Sequence, residues 1–222
     1  MSDTRTSAEN ERERSRTRWR DAQPDSGLTW AKILTGDRFF DAIARHYAFT
    51  GDERVVEVGP GYGRLPATML ERDIPFAAYT GVEFSSSNVE HLEQLFDDPR
   101  FHFIHTDVED LAVDRRFDVM VSSLVLKHIA PSFEKALDAI SRHTDPGGWF
   151  FFDLLESKVL YRFLNRERYF QEAGEVPTFI RRYRKDEVLE ILDRLGLEHV
   201  AFDTVEHDSS HKRLLVVARK PV

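Results

Sequence analysis

The sequence predicts a mixed α/β protein in which helices cover both faces of a mostly parallel, seven-stranded sheet. The main observation is that short apolar runs alternate with longer stretches of helical periodicity, because this alternation requires crossover connections between parallel strands. A second observation is that the last two apolar runs are joined by a short polar segment, which predicts a hairpin with an antiparallel final strand. The seven predicted strands are 54–58, 78–83, 101–105, 117–122, 148–153, 198–205 and 213–219.

The predicted helices lie before and between these strands. Apolar side chains recur at near-helical spacing from Thr29 to Tyr47, which predicts two helices interrupted at Thr35 and Gly36. Trp30 and Phe40 in this region are expected to be core residues. The remaining helices are predicted near 64–72, 85–96, 132–143 and 186–195, and the last of them stops at Gly196.

Length and composition predict one domain. A chain of 222 residues with 41% hydrophobic residues can bury a complete core. Residues 1–26 are rich in Arg, Glu, Ser and Thr and lack apolar periodicity, so we expect them to be disordered or to form a loosely docked helix. Residues 27–222 are then the folded domain, with 154–185 as an insertion on the substrate side.

The charge distribution narrows the functional classes. The net charge of −8 argues against general nucleic-acid binding, which needs a basic surface. Residues 154–185 nevertheless hold eight Lys and Arg against four Glu, so this segment could face an anionic substrate. No apolar run has membrane-spanning length, and the polar N-terminus does not look like a secretory signal, so we expect a cytoplasmic location. The absence of cysteine excludes disulfides and thiolate chemistry.

A glycine-rich turn follows the first predicted strand. Residues 55–63 read Val-Val-Glu-Val-Gly-Pro-Gly-Tyr-Gly, with an acid, Glu57, inside the strand end. Gly59, Gly61 and Gly63 allow the backbone to approach a ligand closely. Their spacing of two differs from the dinucleotide-binding fingerprint, whose third glycine comes three residues after the second.

The second predicted strand also ends in an acid. Glu83 comes twenty residues after Gly63 and precedes the cap-rich segment Ser85-Ser86-Ser87-Asn88. An acid at the tip of this strand is placed to accept hydrogen bonds from a ribose diol. The two acids therefore predict a nucleoside-type ligand at the carboxyl edge of the sheet.

In these motifs the chain resembles the class I S-adenosylmethionine-dependent methyltransferases, a Rossmann-like fold family. Segments 55–63, 78–83, 103–107, 117–129 and 146–149 look like its successive motifs in order. The resemblance implies S-adenosyl-L-methionine as cofactor, Glu57 near its amino group, Glu83 on its ribose and Asp107 facing the adenine amino group beside Val108. The cofactor-binding residues so implied are Glu57, Gly59, Gly61, Gly63, Glu83, Phe84, Asp107, Val108 and Ser122.

His128 is the candidate catalytic residue, because it follows the fourth strand at the edge where open α/β sheets bind ligands. If the methyl acceptor is a hydroxyl, His128 could act as its general base. The alternative is that His128 only shapes the pocket, since many proteins of the family carry a histidine here with unrelated substrates. Its neighbour Lys127 is expected to be exposed to solvent.

The acceptor class follows from what the sequence lacks. No Asn/Asp-Pro-Pro-aromatic motif follows the fourth strand, which weakens methylation of nucleic-acid base amino groups. Asp107, Asp118 and Asp153 are not spaced as an obvious magnesium cluster, so no metal is expected. We therefore expect a small-molecule acceptor beneath a capping helix in 156–184. The residues expected to bind it are Arg181, Arg182 and Tyr183, whose arginines can fork onto an acidic group.

Two other functions stay open from the sequence. The first is methylation of a protein or RNA guided by the basic segments, against which the overall charge of −8 counts. The second is a non-catalytic homologue that binds the cofactor or a partner, against which the intact acids Glu57 and Glu83 count. The sequence leaves the methylated atom and the oligomeric state undecided.

Overall fold

The computed structural model describes residues 2–23, 36–171, 178–206 and 212–222. The helices in these ranges are α1 (Ser2–Arg20), α2 (Asp37–Ile43), α3 (Arg64–Glu71), α4 (Ser86–Leu95), α5 (Glu134–His143), α6 (Val159–Phe163) and α7 (Lys185–Arg194). The strands are β1 (Arg54–Val58), β2 (Ala78–Glu83), β3 (Phe101–His105), β4 (Phe117–Ser122), β5 (Thr144–Glu156), β6 (Arg168–Gln171), β7 (Thr178–Tyr183), β8 (Glu198–Glu206) and β9 (Lys212–Arg219). None of the described helices combines the length and the apolar character that crossing a membrane requires.

The central strands form a parallel sheet in the order β3-β2-β1-β4-β5. The chain starts in the middle at β1, moves outward to β2 and β3, and returns to the other side of β1 with β4. The carboxyl ends of β1 and β4 therefore point to the crevice where the direction of winding reverses, which is the usual ligand site of an open α/β sheet. Strand β9 runs antiparallel to both β5 and β8. The predicted mostly parallel sheet with an antiparallel final strand is confirmed.

The described sheet has nine strands rather than the seven predicted, because β6 and β7 form in the segment expected to cap the site as a helix. Among the described residues of that segment, only five, Val159–Phe163, are α-helical. β5 extends to Glu156, beyond Phe152, its last paired residue on the β4 side. Strand β7 pairs with this extension through Leu155 and Glu156, and β6 pairs antiparallel with β7. The backbone N–H and C=O groups at the end of β5 need hydrogen-bond partners, and β7 supplies them as a strand. This pairing explains why 178–183 is a strand and not a helix.

Two hydrophobic clusters share the sheet as a common wall. Along β5 the side chains of Phe150 and Phe152 enter one cluster, with apolar residues of α5 and α7. Phe151 points the other way, into a cluster with residues of α2, α3 and α4. This alternation follows from the two-residue period of a strand covered on both faces. Phe40 lies in the second cluster, as predicted, whereas Trp30 lies outside the described residues.

Candidate active site

A cavity opens at the carboxyl ends of β1, β2 and β4 and is bounded on one side by α1. Its lining comes from the end of β1 and the glycine turn, from the end of β2, from the turns after β3 and β4, and from α1. The predicted site residues that line it are Glu57, Gly59, Glu83, Phe84, Asp107, Val108 and His128. These predicted residues, which are up to 71 positions apart in the sequence, thus meet at one edge of the sheet.

The glycine turn connects β1 to α3 in left-handed backbone conformations. Gly59 has φ +71° and Gly61 has φ +59°, values that other residue types adopt at a cost. A Cβ atom at Gly59 would lie 2.7 Å from a methyl group of Val125, so this position also needs glycine for space. Gly63, with φ +87°, then caps α3. The turn therefore brings the backbone of Gly59 to the cavity wall, beside Pro60 and Tyr62.

Glu83 holds the glycine turn against the start of α4. Its Oε2 accepts a hydrogen bond from the amide of Gly61 at 3.0 Å. Its Oε1 accepts from the amides of Phe84 and Ser85, each at 3.0 Å, and from the side chain of Asn88 at 3.4 Å. Burial raises the pKa of this carboxyl, and the same donors act to lower it. The carboxylate thus has a structural role as well as an accessible position in the cavity wall.

Glu57, in β1, is almost completely buried and lies near Glu83, which is in the neighbouring strand β2. The hydroxyl of Tyr79, in β2, donates a hydrogen bond to its carboxylate. Burial raises the pKa of Glu57 to about 8, although the nearby Arg64 lowers it and Glu83 raises it further. The side chain therefore holds a proton at neutral pH. The role of Tyr79 was not predicted, and a tyrosine in the strand next to the acid is the only sequence signal for it.

Asp107 is held by two partners at the turn after β3. Its Oδ1 accepts a hydrogen bond from the amide of Glu109 at 2.9 Å and caps a short 3₁₀ turn. Its Oδ2 lies 2.6 Å from a guanidinium nitrogen of Arg16 in α1. Val108, the next residue, packs in the cavity wall. An adenine contact by Asp107 stays a prediction, and it would have to share the carboxylate with Arg16.

Ser122 is fully buried, and its hydroxyl donates to the carbonyl oxygen of Val58 at 3.0 Å. This bond joins the end of β4 to the end of β1, so the serine supports the crevice from behind. The residues that follow it, Ser123 and Leu124, line the cavity instead. A direct cofactor contact by Ser122 stays a prediction.

His128 lines the cavity with its ring fixed in one orientation. Its Nδ1 lies 2.6 Å from the carbonyl oxygen of Phe179 in β7. Because a carbonyl can only accept, Nδ1 carries the proton and Nε2 carries the lone pair. Burial lowers the pKa of His128 well below its usual value, and the charge of Lys127 lowers it further. A neutral imidazole of this kind is compatible with both roles considered above, general base and positioning group.

The expectation that Lys127 is exposed is wrong. Its side chain is only 3% exposed, because the 3₁₀ turn Leu126–His128 directs it into the protein. Burial lowers the pKa of Lys127 to about 7; the charge of Arg213 contributes in the same direction, and Asp153 opposes it. A buried amino group that titrates near neutral pH thus lies next to the candidate catalytic histidine.

Helix α1 forms one wall of the cavity, within the segment for which the sequence left open disorder or a loosely docked helix. The hydroxyl of Ser15 donates to the carbonyl oxygen of His128 at 2.7 Å, and Arg12 forms an ion pair with Glu109. The ring of Trp19 lies 4.8 Å from that of His128. A tryptophan in an otherwise polar segment is the signal that could have indicated docking. The domain boundary predicted at residue 26 falls outside the described residues and stays a prediction.

The three residues expected to bind the acceptor have different surroundings. The guanidinium of Arg181 contacts Glu187 and the carbonyl oxygen of Pro131. Tyr183 is fully buried in the core, and its hydroxyl accepts from the amide of Phe133 at 3.3 Å. The guanidinium of Arg182 stacks 4.0 Å from the ring centre of Tyr161. Acceptor binding by these residues stays a prediction, and of the three Arg182 has the fewest bonds to other residues in the described chain.

The described residues contain no group of three or more histidine, aspartate or glutamate side chains arranged to hold a metal ion.

Comparison with known proteins places these features in context. A family model described as a methyltransferase domain matches residues 11–201. A malonyl-[acyl-carrier protein] O-methyltransferase from Chlorobium luteolum is 30% identical over 186 residues, covering 80% of this chain and 69% of that protein. A probable phthiotriol/phenolphthiotriol dimycocerosates methyltransferase from Mycobacterium ulcerans is 32% identical over 99 residues, or 44% of this chain, and this chain spans only 38% of its length. A solved S-adenosylmethionine-dependent methyltransferase from Methanosarcina mazei has a similar fold, with TM-score 0.68 and 16% identity over 81% of this chain and 97% of that one.

Proposed function

Because the chain belongs to the class I S-adenosylmethionine-dependent methyltransferases, we propose that it transfers a methyl group from that cofactor to a small-molecule acceptor. The observation that carries the proposal is that two buried acids, Glu57 and Glu83, lie near the carboxyl ends of adjacent strands, beside a glycine turn. This arrangement suits a ligand with a ribose at one end and an amino acid at the other. The curated relatives are named for acceptors as different as malonyl-[acyl-carrier protein] and phthiotriol/phenolphthiotriol dimycocerosates, so they leave the acceptor of this chain open.

The residues of the cavity fit the cofactor part by part. Gly59 brings its backbone to the cavity wall, where a side chain would collide with Val125. Glu83 offers carboxylate oxygens to the ribose hydroxyls, and Phe84 and Val108 offer apolar surface to the adenine. Glu57 offers an acid to the amino group. S-adenosylmethionine, when bound, supplies a methyl group on a positively charged sulfur.

The protein contributes to the transfer mainly by positioning. A methyl transfer from sulfur is an in-line displacement, so holding the acceptor atom close and in line supplies much of the acceleration. Helix α1 bounds one side of the cavity, through the contacts of Ser15 and Trp19 with His128. If the acceptor is a hydroxyl, the lone pair on Nε2 of His128 can take its proton. For an acceptor that has no proton to lose before transfer, the same ring only shapes the site.

The proposal is tested by titrating S-adenosylhomocysteine into the wild-type protein and into Glu83→Ala in a calorimeter. We expect micromolar binding, and a loss of about 1–3 kcal/mol in the variant, the range for hydrogen bonds to a charged group. Glu90→Ala is the matched control, because Glu90 is an exposed acid in the neighbouring helix α4. Thermal unfolding of each variant separates lost binding from lost structure, since Glu83 also holds three backbone amides. Equal affinity in the wild type and a folded Glu83→Ala would refute the assignment of this cavity.

A further inference from the structure

A cluster of two buried cations and one partly buried cation lies next to the cavity, at the carboxyl end of β5. It consists of Lys127, Arg182 and Arg213 around the carboxylate of Asp153, and we refer to it as the cationic cluster. Arg213 is 9% exposed and Asp153 is 1% exposed. Leu155 of β5 pairs with Arg182 of β7, and Leu154 pairs with Leu214, the neighbour of Arg213 in β9. The charges are close enough for the two arginines and Asp153 to influence the pKa of Lys127.

The single carboxylate of the cluster is already engaged. Its Oδ2 accepts a hydrogen bond from the hydroxyl of Ser123 at 2.6 Å, and its Oδ1 accepts from the amide of Leu124 at 2.9 Å. Both donors belong to the cavity wall. Asp153 therefore ties the cluster to the cavity, and its one carboxylate faces two arginines that stay charged.

The arginines have buried nitrogen atoms without a partner in the described part of the chain. These atoms are Nε and Nη1 of Arg213 and Nε of Arg182. A buried lysine can lose its proton, and the lowered pKa of Lys127 is in line with this response. An arginine stays charged under all ordinary conditions, so its burial is costly unless an anion and acceptor oxygens complete the site. The cluster thus has the donors and the charge of a site for an oxyanion.

We propose that the cationic cluster binds a carboxylate or phosphate group of the methyl acceptor. This inference rests on the proposed function, and it defines the acceptor as an anionic molecule whose charged end lies beside Arg213 and Arg182 while its reactive end reaches the cavity near His128. A planar guanidinium presents paired N–H donors that match the two oxygens of such a group. The proposal moves the predicted anion contact from Arg181 and Arg182 to the partly buried Arg182 and the buried Arg213.

The experiment uses the full chain saturated with S-adenosylhomocysteine. Inorganic phosphate and malonate are titrated separately at constant ionic strength, and the shift in melting temperature gives an apparent affinity for each. We expect saturable stabilisation by at least one anion, and the stronger of the two identifies phosphate or carboxylate as the preferred group. Arg213→Gln and Arg182→Gln should each weaken this affinity at least fivefold.

Two matched controls lie beside the tested residues. Lys212 precedes Arg213 and pairs with Glu206, and Arg184 lies two residues after Arg182 and pairs with Asp186 at 3.0 Å. Both control residues are more exposed than Arg213, and both are already paired with an acid. Lys212→Gln and Arg184→Gln should therefore leave the anion affinity unchanged. If Arg213→Gln does not fold, Arg182→Gln, whose side chain is only partly buried, decides the question.

The affinity for S-adenosylhomocysteine separates this inference from the proposed function. We expect Arg213→Gln and Arg182→Gln to bind it as the wild type does. Lost affinity in a folded variant would mean that the cluster holds the carboxylate of the cofactor instead, and the inference would be wrong. Anion binding that is absent, or equal in all variants, would also overturn it while leaving cofactor binding intact. Failure of the wild type to bind S-adenosylhomocysteine would instead refute the proposed function.

Discussion

Cofactor binding should release a proton from Glu57. Burial raises the pKa of this carboxyl to about 8, so it is mostly protonated at pH 7 in the free protein. In the proposed site Glu57 faces the positively charged amino group of the cofactor. An opposite charge at this distance favours the ionised acid and lowers its pKa. The proton that the free protein holds is therefore lost when S-adenosylhomocysteine binds.

The size of the effect follows from the pKa. If binding lowers the pKa of Glu57 below 6, about 0.9 proton is released per ligand at pH 7. Ionising the acid in the free protein at that pH costs about 1.4 kcal/mol, one pKa unit. If only the protein with ionised Glu57 binds well, the affinity for S-adenosylhomocysteine should rise about fiftyfold between pH 6 and pH 8.

Calorimetry measures both quantities. The apparent enthalpy of binding, compared between HEPES and Tris buffers at pH 7, gives the number of protons released. Glu57→Gln has the same shape but no titrating group, so it should release no proton and bind with an affinity that does not change between pH 6 and 8. Tyr79→Phe removes the hydrogen bond to the carboxylate and should move the rise in affinity to higher pH. A wild-type affinity that is equal at pH 6 and 8, without proton release, would show that Glu57 is ionised before binding and refute this reasoning.

Two further predictions concern the 3₁₀ turn after β4. If His128 is a general base, His128→Ala should lower kcat roughly 10²–10⁴-fold and remove the acidic limb of its pH profile, whereas retained activity and profile shape in His128→Asn would assign a positioning role. Lys127 has a folded-state pKa of about 7 against 10.5 in the unfolded chain, so between these values the unfolded state binds more protons and stability rises with pH. Glu57, whose pKa is about 8, lowers the stability of both proteins over this range, so urea denaturation should show a gain from pH 7 to 9 on the order of 2 kcal/mol in the wild type relative to Lys127→Met; the same pH dependence in both proteins would argue against a buried, titrating lysine.

Local patterns were sufficient for the frame of the molecule. Five parallel strands were recognised because apolar runs of strand length alternate with helical segments, and crossover chirality then restricts their arrangement. The glycine turn and Glu83 were recognised because backbone conformation and strand ends are local properties. The helical prediction for the segment after β5 failed because Thr178–Tyr183 becomes a strand through pairing with the far end of β5, a contact that no local pattern records.

The sequence by itself therefore determined the fold class, the position of the cavity and the two acids in its wall. Only the tertiary structure decided what surrounds them. Ser15 meets the backbone of His128 across 113 positions, and Lys127 is turned towards arginines from β7 and β9. Such contacts depend on how separate elements pack. The sequence pattern of a polar helix such as α1, or of a charged residue beside a motif, does not show that the residue will be buried. The physical reason is that the burial of a charge is a property of the assembled environment, whereas periodicity reports only on the segment that contains it.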